Sequence, residues 1–231
     1  WVLIDADYSQ IELRVLAHIA DDPIMKRAFL EGEDIHTVTA SQVFGVPVEF
    51  VTPQMRSHAK AVNFGIVYGI SAFSLSEDIH VSQKEAQGYI DSYLEKYSGV
   101  RRYMEEIKEK ARQEGFVTTL WGRRRYLPEL RSKNFNIRSF GERLALNTPI
   151  QGTAADIIKA AMVAVARRLE KEGLQARLLL QVHDELIIEA PREEAAQVSA
   201  LLKEEMEGAF PLSVRLTADV SQGENWYEAK K

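Results

Sequence analysis

Cysteine is absent from this chain, and histidine is sparse. Without a thiol, the chain can form neither a disulfide bond nor a thiolate metal site. The five histidines are too widely separated to resemble the closely spaced ligands of a zinc site: His18, His36, His58, His80 and His183. Any metal bound by this chain is therefore expected to be a hard cation held by oxygen atoms.

Long apolar runs are also missing. No stretch is long and apolar enough to cross a bilayer, and the N-terminus lacks the basic-then-apolar order of a signal peptide. The composition is that of an ordinary globular chain, with 45% hydrophobic and 27% charged residues and no low-complexity segment. These features predict a cytoplasmic protein without a membrane partner.

The chain has no overall excess of positive charge. Its formal net charge of -5 argues weakly against a nucleic-acid partner, because phosphate binding usually leaves a basic footprint. The charge is segregated, however. From Arg123 to Arg143 seven basic residues face two acidic ones, whereas five glutamates dominate the segment from Pro191 to Ala209. The net value thus averages a candidate DNA-binding face with an acidic, solvated helix.

Strand-like runs lie towards both ends of the chain. Trp1–Ala6 is predicted to form a short buried strand, and Ile11 to Ala20 has apolar residues at helical spacing. Leu178–Val182 and Leu186–Glu189 are apolar runs separated only by His183-Asp184-Glu185. They predict a tight hairpin of two buried strands with acidic residues at its tip.

The segment between these strands is predicted to be mostly helical. The expected elements are helices from Pro23 to Gln113, a hairpin strand at Phe116–Leu120, a helix ended by Asn147-Thr148-Pro149, a helix from Thr153 to Glu172, a helix from Glu193 to Gly208 and a last strand from Val214 to Val220. This order predicts an α+β fold with one antiparallel sheet interrupted by a large helical insertion.

Two carboxylates, each at the end of a predicted strand, are candidate metal ligands. Asp7 follows the first strand and Asp184 lies at the hairpin tip. Such residues can also be a helix cap and an ordinary turn residue, and Asp5, on the same strand face as Asp7, is an alternative ligand. Paired carboxylates at a sheet rim can nevertheless hold two Mg²⁺ ions about 4 Å apart for an in-line phosphoryl displacement.

A run of residues at strict four-residue intervals is a candidate nucleotide site. Its members are Arg56, Lys60, Phe64 and Tyr68, which span roughly 18 Å along one helix face. The cations could bind phosphates and the aromatics a sugar and a base. The alternative is a solvated basic end joined to an apolar core stripe. Gly65 and Gly69 count against that alternative, because each costs about 1 kcal/mol in a helix relative to Ala.

The basic segment is followed by Asn147, Gln151 and Gly152. Amide side chains can read acceptors in the minor groove of DNA, while arginines hold its phosphates. A charge run is more often a solvated face, so this segment alone is weak evidence for DNA binding.

In this order, the segments resemble those of family A (DNA polymerase I type) DNA polymerases. Asp7–Arg14 resembles motif A, Arg56–Gly69 resembles motif B on the O helix, and Val182–Glu185 resembles motif C. Further family-like segments are Asp34–Thr37, Gly122–Pro128 and Gln151–Asp156. The resemblance covers essentially the whole chain.

The resemblance implies a catalytic centre that adds dNTPs to a primer 3′-OH and releases pyrophosphate. Asp7 and Asp184 would bind two Mg²⁺ ions, helped by the Tyr8 backbone carbonyl and by Glu185. Lys60 would be the general acid towards pyrophosphate. The remaining implied contacts are Gln10, His36 and Arg56 with the triphosphate, Phe64 with the sugar, Tyr68 near the templating base, Glu12 as the steric gate against a ribose 2′-OH, and His183, Arg143, Asn147 and Gln151 with primer–template DNA.

The resemblance also implies a domain organisation. Residues 1–17 and 134–231 would form an antiparallel palm sheet with its helices, and residues 18–133 a mostly helical fingers insertion. The thumb and exonuclease domains of a parent chain would be missing, and the location would be the bacterial cytoplasm, next to the nucleoid. Ser57 departs from the pattern, because many relatives carry a second arginine there.

Two alternatives remain open at this point. A single-subunit RNA polymerase of the phage type shares the two aspartates and the Lys…Tyr-Gly helix, and Glu12 is the residue that argues against it. A nucleic-acid or nucleotide binding fragment without turnover is the other alternative, because a chain that lacks a thumb would hold a duplex less firmly.

Overall fold

The computed structural model describes residues 1–230 and confirms the α+β class. Within this range, no helix has both the length and the apolar character needed to cross a membrane. The elements in chain order are β1 Val2–Tyr8, α1 Ile11–Ala20, α2 Pro23–Glu31, α3 Ile35–Phe44, α4 Pro53–Tyr68, α5 Ala72–Ile79, α6 Gln83–Lys96, α7 Ser98–Glu114, β2 Phe116–Thr118, β3 Arg124–Tyr126, α8 Phe135–Lys171, β4 Arg177–Val182, β5 Glu185–Ala190, α9 Ala195–Glu207, β6 Ala218–Gly223 and α10 Trp226–Ala229.

The chain divides into two compact units. The sheet unit comprises Trp1–Ile11 together with the chain from Ala154 onward, and the helical unit comprises Glu12–Thr153. The assignment of residues 1–17 and 134–231 to a palm and of residues 18–133 to fingers stays a prediction.

The sheet unit contains a four-stranded antiparallel sheet in the order β4-β5-β1-β6. The first strand of the chain is central because β5 and β6 pair with its two edges, Asp7 lying opposite Glu185 on one side and Asp219 on the other. The predicted hairpin of β4 and β5 is confirmed, and only His183 and Asp184 connect its strands.

Alternation along β1 gives the sheet two different faces. Ile4, Ala6 and Tyr8 are buried on one face, and the Tyr8 hydroxyl donates a 2.6 Å hydrogen bond to the carbonyl of Met206 in α9. The opposite face carries Asp5 and Asp7, because successive side chains of a strand point to opposite sides. An apolar core therefore anchors the strand, while its other face presents carboxylates.

The helical unit consists of capped helices with a buried apolar core. In α4 the Thr52 side chain accepts a hydrogen bond from the Met55 N–H, Pro53 occupies the first turn, and Gly69 ends the helix with φ 66°. A Cβ atom on Gly65 would lie 2.6 Å from the Ile70 side chain. Because Gly65 has no side chain, the Ile70 side chain can pack closely against the last turns of α4.

One predicted helix break is wrong. Asn147-Thr148-Pro149 was expected to end a helix, but α8 continues through it from Phe135 to Lys171. Proline removes one backbone hydrogen bond, a loss that packing can outweigh. The neighbouring Ala145, Leu146 and Ile150 are buried, and the Tyr103 hydroxyl donates to the Leu146 carbonyl at 3.1 Å.

Two strand predictions also need correction. The run Leu178–Val182 was expected to be buried, yet β4 is an edge strand whose Leu179 and Leu180 are 44% and 49% exposed at a register shift. The last strand is Ala218–Gly223 rather than Val214–Val220. Val214 and Leu216 are buried without belonging to a strand, because core packing does not require a regular backbone.

Candidate functional site

The carboxylates of the sheet unit converge at one end of the hairpin. Asp7 and Glu185 are directly opposed in the register of β1 and β5, so their side chains share one face of the sheet. Asp184 is held beside them because the Tyr8 N–H donates to the Asp184 carbonyl at 3.2 Å. The structure thus brings Asp7, Asp184 and Glu185 together with the Tyr8 backbone.

The turn that presents Asp184 is conformationally constrained. His183 adopts φ 52°, a left-handed conformation that only a few per cent of non-glycine residues adopt. The Gln181 side chain donates to the His183 carbonyl at 2.6 Å and so fastens the turn to β4. Gln10, at φ 55°, occupies a similar bend between β1 and α1. Both predicted contact residues therefore lie in bends next to the carboxylates.

A second pair of acidic side chains lies deeper on the same face. Glu185 is 4% exposed and its carboxylate bonds to the Lys230 ammonium group at 3.0 Å. Asp5 is 3% exposed and accepts from the Trp226 indole N–H at 3.2 Å, while its Oδ1 atom is buried without a hydrogen-bond partner among residues 1–230. The C-terminal helix α10 and the residue that follows it therefore support the acidic face.

The electrostatics of this face favour cation binding. Burial, together with the negative charges of Asp184, Glu185 and Asp5, raises the pKa of Asp7 to about 6. Burial and the charge of Glu185 also raise the pKa of Asp184. One lysine, Lys230, opposes these effects on both groups. The carboxylates repel one another, and a bound cation would relieve that repulsion.

The donor set fits a magnesium ion better than a metal that needs a complete protein cage. Within the described range, no group of three or more His, Asp or Glu side chains is arranged to hold a metal ion. Mg²⁺ commonly uses only one or two protein carboxylates and completes its octahedron with water and substrate oxygens. Asp7 and Asp184 supply that number of carboxylates, and both are accessible to solvent.

In the helical unit, α4 displays the predicted stripe on its outer side. Arg56 and Lys60 are exposed, Phe64 is half-buried and Tyr68 is 42% exposed. The core of the unit is instead contacted by other residues of the helix: Ala59, Val62, Asn63, Ile66 and Val67. The aromatic residues are thus not part of an apolar core stripe, which argues against the alternative of a solvated basic end joined to such a stripe.

Arg56 already has an anionic partner in the unit. Its Nε and Nη2 atoms donate to the two carboxylate oxygens of Asp34 at 2.5 and 3.2 Å. Asp34 also caps α3 through the His36 N–H and accepts from the Thr37 hydroxyl. Burial alone would raise the pKa of Asp34, but the bonds from Arg56 and Thr37 lower it to about 2. The carboxylate is therefore charged and orients Arg56.

His36 lies in the same neighbourhood. Its ring is 5.7 Å from the ring of Phe64, centre to centre, and is 3% exposed. Burial lowers the pKa of His36 to about 4, and the positive charges of Arg56 and Lys60 reinforce this shift while Asp34 opposes it. At neutral pH the imidazole is uncharged, so it can offer one N–H donor but no full positive charge.

Two further predicted residues meet at the exposed end of α4. The Tyr68 hydroxyl donates to the Glu12 carboxylate at 3.0 Å. A cleft of about 520 Å³ begins beside Tyr68 and is bordered by Phe64, Ser74 and Arg143. The aromatic end of the stripe is thus adjacent to a space large enough for part of a nucleotide.

The predicted DNA contacts differ in their availability. Arg143 and Gln151 on α8 are exposed, as is His183 in the sheet unit. The amide nitrogen of Asn147, when turned towards the nearest carbonyls, donates to Arg143 at 3.1 Å and to Val67 at 2.5 Å. These bonds tie α8 to the last turn of α4, so Asn147 has a structural role in addition to any contact with DNA.

Four residues that shape these sites were not among the sequence-based candidates. Asp34 was noted only as part of a family-like segment, and Asn63 only as part of the helix motif. No sequence pattern pointed to Trp226 or Lys230. Trp226 bonds to Asp5, 221 positions away, and Lys230 bonds to Glu185, 45 positions away. Only the Asp34 N-cap could have been foreseen locally, from Asp before an apolar helical run.

Known DNA polymerases are similar to this chain in sequence. The model of the family described as DNA polymerase family A matches residues 1–228. DNA polymerase I of Bacillus caldotenax is 58% identical over 230 residues, which are 100% of this chain and 26% of that protein. The thermostable DNA polymerase I of Thermus aquaticus is 52% identical over 231 residues, 100% of this chain and 28% of that protein.

A solved structure shares the fold. It is described as the POL domain of Pol1 from M. smegmatis in complex with DNA primer-template and dNTP, and it superposes with a TM-score of 0.95 at 44% identity, covering 100% of this chain and 41% of that one. The chain spans about a quarter of the length of the curated relatives above. With a family model matched over residues 1–228, the chain belongs to DNA polymerase family A.

Proposed function

We propose that this chain is the catalytic palm and fingers part of a DNA-directed DNA polymerase, which adds dNTPs to the 3′-OH of a primer as directed by a template. The observation that carries the proposal is the Asp7 and Asp184 pair, held together by the Tyr8–Asp184 backbone bond on an acidic face that raises the pKa of Asp7 to about 6 although Lys230 opposes the shift. Membership of DNA polymerase family A supports it.

In this proposal, Asp7 and Asp184 hold two Mg²⁺ ions with the Tyr8 carbonyl, and Glu185 sustains the negative field behind them. When bound, the ions stabilise the attacking and leaving oxygens of an in-line displacement. The primer oxygen forms a bond to the α-phosphorus, and the bond from that phosphorus to the bridging oxygen breaks. The hydroxyl proton passes to water, and Lys60 donates a proton to the departing pyrophosphate. Positioning of the reactants and charge neutralisation account for most of the rate enhancement.

The helical unit supplies the nucleotide contacts. Arg56, Lys60 and His36, together with Gln10 from the sheet unit, bind the triphosphate, and Phe64 packs on the sugar. Tyr68 lies by the templating base, and its hydrogen bond to Glu12 supports Glu12 as the steric gate that selects deoxynucleotides. In this proposal the bond orients Glu12, and the glutamate side chain leaves no room for a ribose 2′-OH.

Primer–template DNA is the proposed macromolecular partner. His183, Arg143, Asn147 and Gln151 contact it, and the thumb and exonuclease domains of a longer parent chain complete the enzyme. The relatives named above are bacterial, which supports a location in the bacterial cytoplasm next to the nucleoid.

Primer extension by the purified chain tests the proposal. A labelled primer on a longer template is incubated with dNTPs and Mg²⁺, and Asp184→Asn serves as the inactive control. Extension that needs both Mg²⁺ and Asp184 supports the proposal. Binding of primer–template without extension would instead identify the chain as a binding fragment, an outcome that its coverage of about a quarter of its relatives makes worth measuring.

A further inference from the structure

A chain of buried polar groups links His36 to the interior of the helical unit. The Nδ1 atom of His36 lies 3.1 Å from the Asn63 amide nitrogen. The Thr39 hydroxyl lies 3.1 and 3.0 Å from the amide oxygen and nitrogen of Asn63, and the Tyr97 hydroxyl lies 2.9 Å from Thr39. Asn63, Thr39 and Tyr97 are each 0% exposed. Water does not reach these three residues, so their bonds must be satisfied internally.

The Tyr97 proton sets the direction of this chain. Burial raises the pKa of Tyr97, so its hydroxyl keeps its proton at neutral pH and must donate it. Among residues 1–230, the Thr39 hydroxyl is the acceptor in reach. Thr39 then donates its own proton to the Asn63 amide oxygen, and the Asn63 amide nitrogen faces the Nδ1 atom of His36. If Thr39 donated to Tyr97 instead, the Tyr97 proton would have no acceptor among the described residues.

The orientation of the Asn63 amide determines where His36 carries its proton. An amide nitrogen can only donate, so the Nδ1 atom that faces it must present a lone pair. A neutral imidazole has one N–H group, which therefore lies on Nε2. Within the described residues, the hydrogen bonds of His36 use its backbone N–H and Nδ1 and leave Nε2 unused. Its charged neighbours are Asp34 and the exposed Arg56 and Lys60.

We propose that Asn63, aligned by Thr39 and Tyr97, is a positioning residue that holds His36 in the Nε2–H tautomer so that His36 donates a hydrogen bond to a phosphate oxygen of the nucleotide. The proposal rests on the proposed function. A phosphate oxygen is an acceptor only, and the opposite tautomer would point a lone pair at it. Arg56 and Lys60 supply positive charge, while His36 supplies a directional donor.

The tautomer is measured directly by two-bond ¹H–¹⁵N correlation spectra of the protein labelled with ¹⁵N-histidine, with His36 assigned through His36→Gln. We expect the pattern of an Nε2-protonated neutral ring in the unsubstituted protein without nucleotide. An Nδ1-protonated ring overturns the proposal. This measurement does not depend on catalysis, so it remains decisive if the chain has no polymerase activity.

Two substitutions test the control by Asn63. Asn63→Asp places an acceptor against Nδ1, and we expect His36 to become protonated there, with the dNTP KM raised about 3- to 10-fold and kcat less affected, as for the loss of one hydrogen bond. An unchanged His36 spectrum in a folded Asn63→Asp protein overturns the proposal.

Tyr97→Phe and Tyr93→Phe form a matched pair. The ring centres are 4.5 Å apart and the ring planes are tilted by 32°. The Tyr93 hydroxyl has no hydrogen-bond partner in the described structure, whereas that of Tyr97 begins the chain of polar groups. We expect Tyr97→Phe to mix the His36 tautomers and Tyr93→Phe to leave them unchanged. Equal effects of the two variants would point to packing and overturn the proposal.

Addition of dATP separates this inference from the proposed function. A shift of the His36 Nε2–H resonance on titration with dATP supports phosphate binding by the donor. An Nε2–H tautomer that does not respond to dATP, although primer extension proceeds, overturns the phosphate contact while the polymerase function stands. Extension that fails while the resonance shifts overturns the polymerase function and leaves the inference intact.

Discussion

The two units handle charge in opposite ways. In the sheet unit, Asp7 and Asp184 stand among further carboxylates, and the repulsion raises the pKa of Asp7 to about 6. In the helical unit, Asp34 and Arg56 form a two-bond ion pair that contributes to lowering the pKa of Asp34 to about 2. The first arrangement is incomplete without a cation, whereas the second is already neutral. Under the proposed function, the sheet unit supplies the carboxylates for the metal ions and the helical unit supplies contacts with the nucleotide.

The largest expected effect tests the chemical role of the sheet unit. Asp184→Asn removes one of the two charges proposed to bind metal, and several kcal/mol of transition-state stabilisation correspond to a loss on the order of a thousandfold in extension rate. Single-turnover primer extension measures it. Asp91→Asn, on the exposed face of α6, is the matched control and should retain full activity. Comparable losses of extension rate in Asp184→Asn and Asp91→Asn would contradict a specific chemical role of the sheet unit.

The next effect concerns selection by the helical unit. Glu12→Gly opens the space that excludes a ribose 2′-OH, and we expect the preference for dNTP over NTP to fall about 10- to 100-fold, the range of a 1–3 kcal/mol steric clash. Competitive incorporation of dATP and ATP measures it. Tyr68→Phe removes the hydroxyl that donates to Glu12 and should have a smaller effect. An unchanged preference in Glu12→Gly would contradict the gate and restore the RNA polymerase alternative.

A smaller effect tests the neutral pair of the helical unit. Asp34→Asn keeps a capping side chain but removes the charge that holds Arg56, and we expect the Tm to fall by about 2–4 °C at pH 7. Because the pKa of Asp34 is depressed in the folded state, its stabilisation is present above pH 4 and is lost as the pH falls towards 2. Thermal melts of both proteins between pH 2 and 7 should therefore converge at the acid end.

The smallest effect has the opposite sign and comes from the sheet unit. Asp7→Asn relieves repulsion, so we expect its Tm to exceed that of the parent by about 1–3 °C at pH 7 without Mg²⁺. A raised folded-state pKa stabilises the parent below pH 4, and this contribution is lost as the pH rises through 6. The difference between the two melting curves should therefore disappear below pH 4.

Magnesium provides the control for that last comparison. The ion should raise the Tm of the parent more than that of Asp7→Asn, because binding to the folded state stabilises it. A Tm increase of equal size in the two proteins would show that Asp7 does not hold the metal. If Asp7→Asn melts below the parent at pH 7, the carboxylates of the sheet unit do not destabilise one another.

Local features were predictable wherever neighbouring residues decide the structure. The hairpin with Asp184 at its tip followed from two apolar runs, and a helix that carries Arg56 to Tyr68 followed from their four-residue spacing. Gly69 was expected inside this helix but ends it as a cap. Predictions failed where distant packing overrides local preference. Pro149 lies inside α8 because buried neighbours stabilise the helix, and Leu180 is exposed because β4 has no further strand beside it.

The candidate sites show the same division. Motif spacing made Asp7, Asp184, Arg56 and Tyr68 candidates, and the resemblance to family A DNA polymerases gave them their predicted roles. Their partners were beyond reach of the sequence. Lys230 meets Glu185, and Asp34 meets Arg56, only after the strands and helices have packed.

The sequence by itself determined the family-like order of motifs, the α+β class and the residue types available for metal and phosphate binding. Tertiary structure alone decided which of those charges are compensated. It left Asp7 among like charges, neutralised Arg56 with Asp34, and buried Asn63 where its amide can orient His36. The physical reason is that pKa values and tautomers depend on contacts a few ångströms long between residues far apart in the chain, which no local pattern encodes.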